Sequence, residues 1–200
     1  MQVKYVRKTV GLLGGSFNPA HDGHRYISLQ ALKLLDLDEV WWLVSPLNPL
    51  KEAKDMASYE QRLETAQNVA RHPCIKVSEI EKKIGTHYTI DTIIKLKKLY
   101  PDINFVWLMG ADNLNQFPKW HRWREIMHSV PIAVFARKHY ALKALHGKAA
   151  RLYHLYRRCA SDAFNLAFYK PPAWVFLPIR KHPASSTEIR KKGLFQTGEK

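Results

Sequence analysis

Residues 14–24 read GGSFNPAHDGH: two glycines, a hydroxyl, an aromatic ring, Asn-Pro, then two histidines three apart around Asp-Gly. The stretch follows the apolar run TVGLL at 9–13 and precedes an amphipathic helical pattern, which is where a doubly wound sheet keeps its ligand crevice. Gly14 and Gly15 let the backbone approach a bulky anion and take dihedrals closed to other residues, and the N–H groups of the next helix start face negative charge. Asn18-Pro19 sets a rigid turn ahead of His21. His21 and His24, three apart, project side by side as a donor pair for phosphate oxygens. The run carries neither the Gly-Lys-Ser/Thr of a phosphate loop nor the GxGxxG dinucleotide fingerprint.

A second set closes the chain. Ser185-Ser186-Thr187 followed by Glu188-Ile189-Arg190 reads as a helix start whose hydroxyls and amides hold phosphate, with Arg190 one turn in. Asp112 follows the strand pattern NFVWLMG and Lys51 lies just past the second strand, so both fall on the carboxyl edge that bears the first motif. Taken singly, each has a plain structural reading: a tight turn, an N-cap with an exposed arginine, solvated loop charges.

These residues need a scaffold, and the rest of the chain supplies a pattern for one. Short apolar runs alternate with amphipathic stretches, which predicts an α/β fold: a doubly wound, Rossmann-like, mostly parallel sheet. The expected strands are Thr9–Leu13, Glu39–Ser45, Ile75–Ile80, Asn104–Met109, Pro131–Ala136 and Trp174–Leu177. Asp22 is expected to cap a helix through Leu35 with Ile27, Ala31, Leu34 and Leu35 on one face. Ser58 and Gln61 read as a capping box for a helix to about Ala70, and Thr89 as the cap of a third ending at Leu99. Residues 139–172 break the rhythm: helical in pattern, basic and closed by Pro-Pro, they read as an insertion before the last strand. Leu142, Leu145, Leu152, Leu155 and Phe168 are expected to pack it onto the body, its arginines facing water. One domain spans 1–200, and the tail 193–200 is expected to fray.

Composition narrows the class. The 200 residues carry 32 Lys+Arg against 17 Asp+Glu, a formal charge of +15, which suits polyanionic partners, nucleotides or nucleic acid alike, or a generally basic proteome. No run approaches a bilayer span and no signal-peptide pattern opens the chain, so the expected location is cytosolic. Cys74 and Cys159 stand far apart with no zinc spacing; both read as buried or incidental thiols, and no metal-ligand cluster is expected.

The motifs together resemble the bacterial nicotinate-nucleotide adenylyltransferases of the HxGH nucleotidyltransferase superfamily. GGSFNPAHDGH is similar to the family's first motif. SPLNPLK at 45–51, SYEQRLETA at 58–66, THYTIDTI at 86–93, GADNL at 110–114 with PKWHRWREI at 118–126, and PASSTEIRKK at 183–192 follow in the family's order. The likeness spans roughly 9–137 and 174–192, leaving the insertion outside. Ser16 and Asn18 stand where the family more often has threonine and aspartate, and Ala184 where it often has isoleucine.

The resemblance implies adenylyl transfer from ATP to nicotinate mononucleotide, giving deamido-NAD and pyrophosphate by direct in-line attack. It implies that His21, His24 and Arg190 are catalytic, and that Gly14, Gly15, Ser16, Phe17, Lys51, Arg137, Ser185, Ser186 and Thr187 bind ATP. Thr86 or Thr89 would bond the nicotinate carboxylate, Asp112 would sit in the substrate pocket, and Trp120 would stack on the pyridine ring while Trp123 packs in the core. Mg2+ would arrive on the triphosphate. Two rivals stand beside this reading. One is a related enzyme acting on nicotinamide mononucleotide or phosphopantetheine, against which the THYT and PKW blocks speak. The other is a nucleic-acid-binding module using the basic insertion, for which no recognition motif is found.

Overall fold

The computed structural model describes residues 7–46, 56–136, 141–180 and 182–195. Seven strands form one sheet: β1 (Lys8–Gly15), β2 (Glu39–Val44), β3 (Ile75–Ser78), β4 (Ile103–Gly110), β5 (Ile132–Phe135), β6 (Arg157–Arg158) and β7 (Trp174–Leu177). Their order is β3-β2-β1-β4-β5-β7-β6, and all the pairings are parallel. The six expected strands are present, Trp174–Leu177 as expected and the others with ends shifted by at most two residues. β6 was not expected; it lies inside the insertion, where two arginines add a short strand outside β7.

Nine helices accompany the sheet among the described residues: α1 (Asp22–Leu34), α2 (Tyr59–Val69), α3 (Ile80–Ile84), α4 (Thr89–Leu99), α5 (Ala111–Gln116), α6 (Trp123–Ser129), α7 (Ala141–Leu145), α8 (Lys148–Leu152) and α9 (Ser186–Lys191). Side-chain alternation along the strands divides the core in two. Phe105, Trp107, Met109, Ile132 and Val134 meet α4 to α8 on one face. Val106, Leu108, Ala133, Trp42 and Phe135 meet α1, α2 and the 3-10 segment Ala160–Phe168 on the other. Strands buried on both faces explain the near-continuous apolar runs of the sequence.

Two expected caps move by one residue. α1 is capped by His21, not Asp22, and α4 starts after Tyr88, with Thr89 as its first helical residue. The Ser58–Gln61 capping box is present.

The insertion corrects a larger expectation. Leu142, Leu152, Leu155 and Phe168 are exposed, and of the five named residues only Leu145 packs on the core. The anchors are small: Ala144, Ala149, Ala150, Ala163 and Ala167, with Tyr153 and Leu166. A Cβ on Gly147 would stand 3.0 Å from the Ala144 carbonyl, so the α7–α8 turn is tight and excludes bulk. The Trp174 indole N–H donates to the Tyr153 carbonyl at 2.8 Å and ties the insertion to β7. Arg151, Arg157 and Arg158 face water as expected. Neither cysteine is buried: Cys159 is exposed and Cys74 half-buried.

Candidate active site

All strands run the same way, so the N-termini of the helices that follow them gather at one edge, above the switch between β1 and β4. α1 starts there, and its cap is built from the two histidines. The Gly23 N–H donates to His21 Nδ1 at 3.1 Å and the His21 N–H to His24 Nδ1 at 3.2 Å, a capping box made of imidazoles. With each Nδ1 acting as acceptor, each neutral ring carries its proton on Nε2. The rings lie 3.9 Å apart between centroids. His24 is braced by Phe17, whose ring lies flat on Trp42 at 5.0 Å. The Ser28 hydroxyl donates to the His24 carbonyl and accepts from Trp42 Nε1.

Spacing at the motif has a steric cause that composition alone does not disclose. A Cβ on Gly23 would meet the His21 ring at 2.8 Å and the Ala184 carbonyl at 3.2 Å; the glycine between the histidines lets the ring fold onto the helix start. Gly14 and Gly15 are ordinary strand residues, and the left-handed residue of the turn is Phe17 at φ 46°. Gly14 makes room instead for Trp107, whose indole a Cβ would meet at 2.5 Å. That indole meets Trp120 edge-on at 6.2 Å, and so connects the first motif to the tryptophan block.

The closing segment lands on the same loop from the far end of the chain. The Ser186 hydroxyl donates to the Pro19 carbonyl at 2.9 Å, and the Arg190 guanidinium donates to the Asn18 carbonyl. Ser185 is the N-cap residue of α9, its side chain unused by the cap, and Thr187 is exposed. The structure thus sets Ser186 and Arg190 on the loop that leads into His21 and His24, with Ser185 at the start of α9. Ser16 and Phe17 are buried in the loop that leads to the first histidine.

Arg62 was not singled out, and it holds this loop. Only 1% exposed, it donates to the carbonyls of Ser16 and Ser45 from Nη1 (2.8 and 2.7 Å), of Pro46 from Nη2 (3.1 Å) and of Ala57 from Nε (3.2 Å). Burial lowers its pKa, the nearby Tyr59 and Glu60 acting the other way. The sequence signal was an arginine on the same helical face as Ala66, i and i+4 apart, both buried.

On the opposite wall, the Tyr88 ring lies tilted against His121 at 4.2 Å and Arg122 pairs with Asp91 at 3.2 Å, so the first turn of α4 faces the 117–122 turn. Trp120 is half-buried, held edge-on by Phe117 and Trp107. Trp123 packs on Phe117 and Tyr153. Thr89 is half-buried on the first turn of α4, whereas Thr86 is buried and bonds the Thr92 hydroxyl at 2.9 Å. Asp112 lies in the first turn of α5, with Oδ1 buried. Lys51 and Arg137 lie outside the described residues. Among the described residues no three His, Cys, Asp or Glu side chains gather as a metal site, and no helix is long and apolar enough to cross a membrane.

This arrangement has relatives. Residues 12–192 match the cytidylyltransferase-like family model. A Ruegeria sp. protein is 51% identical over 92% of this chain and 97% of its own length, and one from Parvibaculum lavamentivorans is 50% identical over 92% of each; both bear the name "probable nicotinate-nucleotide adenylyltransferase". The fold is similar to the Plasmodium falciparum nicotinic acid mononucleotide adenylyltransferase, solved with NaAD, at a TM-score of 0.68 and 18% identity, over 92% of this chain and 83% of that one.

Proposed function

The chain belongs to the cytidylyltransferase-like family and, within it, to the nicotinate-nucleotide adenylyltransferases; from that premise we propose that it adenylylates nicotinate mononucleotide with ATP. An oxygen of the mononucleotide 5′-phosphate attacks the α-phosphorus in line. The bond from that phosphorus to the bridging oxygen breaks, and pyrophosphate leaves as deamido-NAD forms.

The protein's task is to hold two polyanions together and to stabilise charge on the transferring group. His21 and His24 offer Nε2–H donors to the ATP phosphates, in a geometry fixed by their own use of Nδ1 as caps. Arg190 offsets the charge of departing pyrophosphate by turning from the Asn18 carbonyl, its acceptor here. Ser185, Ser186 and Thr187 supply hydroxyls, and Gly14, Gly15, Ser16 and Phe17 supply the backbone floor. Lys51 and Arg137 complete the ATP side in this reading. Trp120, presented edge-on to Trp107 and Phe117, stacks on the pyridine. Thr89 bonds the carboxylate, since the Thr86 hydroxyl is engaged with Thr92, and Asp112 lines the pocket. Magnesium arriving on the triphosphate would neutralise part of its charge, and this reading asks no protein cage of the chain.

The observation that carries this reading is the meeting of residues 18–23 with 184–190, from opposite ends of the chain, around the imidazole cap. The test is ATP with each mononucleotide in turn, products identified by mass. Deamido-NAD and pyrophosphate are expected, with the acid preferred over the amide. Equal turnover of both overturns the substrate assignment, and no product from either overturns the enzyme.

A further inference from the structure

Behind the wall that bears Thr89 lies a buried carboxyl that the proposed reaction does not use. Glu81, on α3, is 6% exposed. Its Oε1 accepts from the Thr92 hydroxyl at 3.0 Å, and the Ser45 hydroxyl also bonds it. Thr92 Oγ1 lies 2.9 Å from Thr86 Oγ1 and 3.3 Å from the Tyr88 carbonyl. The Thr86 N–H closes the turn on the Glu81 carbonyl at 3.0 Å, with Gly85 at φ 61° reversing the chain. One carboxyl therefore joins the end of β2, the α3–α4 turn and the first turn of α4. Ser45 also gives its carbonyl to Arg62, which holds the first motif through Ser16.

Each hydroxyl has one proton, so the charge on Glu81 sets the direction of the chain of bonds. With an ionised carboxylate, Thr92 donates to Glu81 and Thr86 donates to Thr92. With a neutral acid that carries its proton on Oε1, Glu81 donates to Thr92, whose proton turns to the Tyr88 carbonyl, directly before Thr89. Burial raises the Glu81 pKa to about 7, against the pull of the Thr92 and Ser45 bonds. The charged and titratable groups on the adjoining helices and turn are Tyr59, Glu60, Arg62 and Glu64 of α2, Glu79, Lys82 and Lys83 at α3, His87 and Tyr88 of the α3–α4 turn, and Asp91, Lys95, Lys97 and Lys98 of α4; no ion pair to Glu81 occurs among the described residues.

We propose that Glu81 is a positioning residue for the mononucleotide: through Thr92 and Thr86 it sets the Tyr88–Thr89 turn, and its neutral form favours the anionic pyridine substrate. An ionised Glu81 both withdraws the donor from the Tyr88 carbonyl and places a like charge behind the carboxylate site. The inference rests on the reaction proposed above.

The test is KM for each substrate from pH 6 to 8 in wild type, Glu81→Gln and Thr92→Val, with thermal unfolding recorded alongside. In wild type, KM for nicotinate mononucleotide is expected to rise roughly three- to tenfold across the range, as a nearby like charge would cause, while KM for ATP stays level. Glu81→Gln should hold the low-pH KM throughout. The substrate phosphate titrates in the same range but equally in both proteins, so the ratio of their KM values isolates Glu81. Thr92→Val should raise the mononucleotide KM at every pH. A ratio that does not change with pH, or equal shifts in both KM values, overturns the inference alone. A wild type that makes no dinucleotide at any pH overturns the proposed reaction, and this inference with it.

Discussion

The two walls of the crevice are built on different principles. The wall of the first motif is held by donors on backbone carbonyls: Arg62 on four of them, Ser186 on Pro19, Arg190 on Asn18. The opposite wall is held by aromatic edges around Trp120 and by a hydroxyl–carboxyl chain ending on Glu81. Cations fixed on neutral oxygens leave the first wall positive, which suits a triphosphate. Apolar faces and uncharged hydroxyls suit a flat ring with one carboxylate. The contrast teaches that charge on one side and shape on the other divide the work of recognition.

Substitutions should respect that division. The largest effect is expected from Arg62→Ala, which strands four carbonyls on the first wall. At about 1–3 kcal/mol for each buried group left unsatisfied, partly recovered by relaxation, it should cost about 4 kcal/mol of stability, read as a fall in denaturant midpoint. Arg62→Lys should recover only part, since one ammonium lacks the fork that reaches four acceptors. Next, His24→Ala should leave the fold intact and lower kcat by roughly 10²–10³-fold, the loss typical of one positioned donor. Near-normal turnover would break the assignment of the first wall to ATP.

A smaller, pH-dependent effect belongs to the second wall. Glu81 binds its proton more tightly folded (about 7) than unfolded (4.5). The stabilisation from its neutral form is thus complete below pH 4.5 and lost as pH rises through 7. Glu81→Gln should therefore gain on wild type by up to about 3 kcal/mol at pH 8 and lose that advantage below pH 4.5, as read by urea melts at both. The smallest effect is expected from Trp120→Ala. Losing a stacking contact of about 0.5–1.5 kcal/mol should raise the mononucleotide KM several-fold with KM for ATP unchanged. A matching rise in KM for ATP would erase the distinction between walls.

Much of this was legible along the chain. The strands and the Ser58 capping box follow from local apolar periodicity and cap chemistry, and the crevice from the position of GGSFNPAHDGH after a strand. The roles of Gly14 and Gly23 were not legible, because each is set by a partner distant in sequence or by a ring folding back: Trp107 for one, His21 and Ala184 for the other. The insertion misled for a related reason. Helical spacing predicts which residues share a face, but the close turn at Gly147 admits only small side chains, so Ala144, Ala149 and Ala150 turned inward while Leu142 and Leu152 turned outward.

The sequence by itself determined a parallel α/β sheet and the chemistry available at its carboxyl edge, because alternation, caps and motif composition act over a few residues. Only the tertiary structure decided that Arg62 would grip four carbonyls and that Glu81 would lie uncharged or charged behind Thr89. Those outcomes depend on which groups are shut away from water together, and burial is a property of the packed whole.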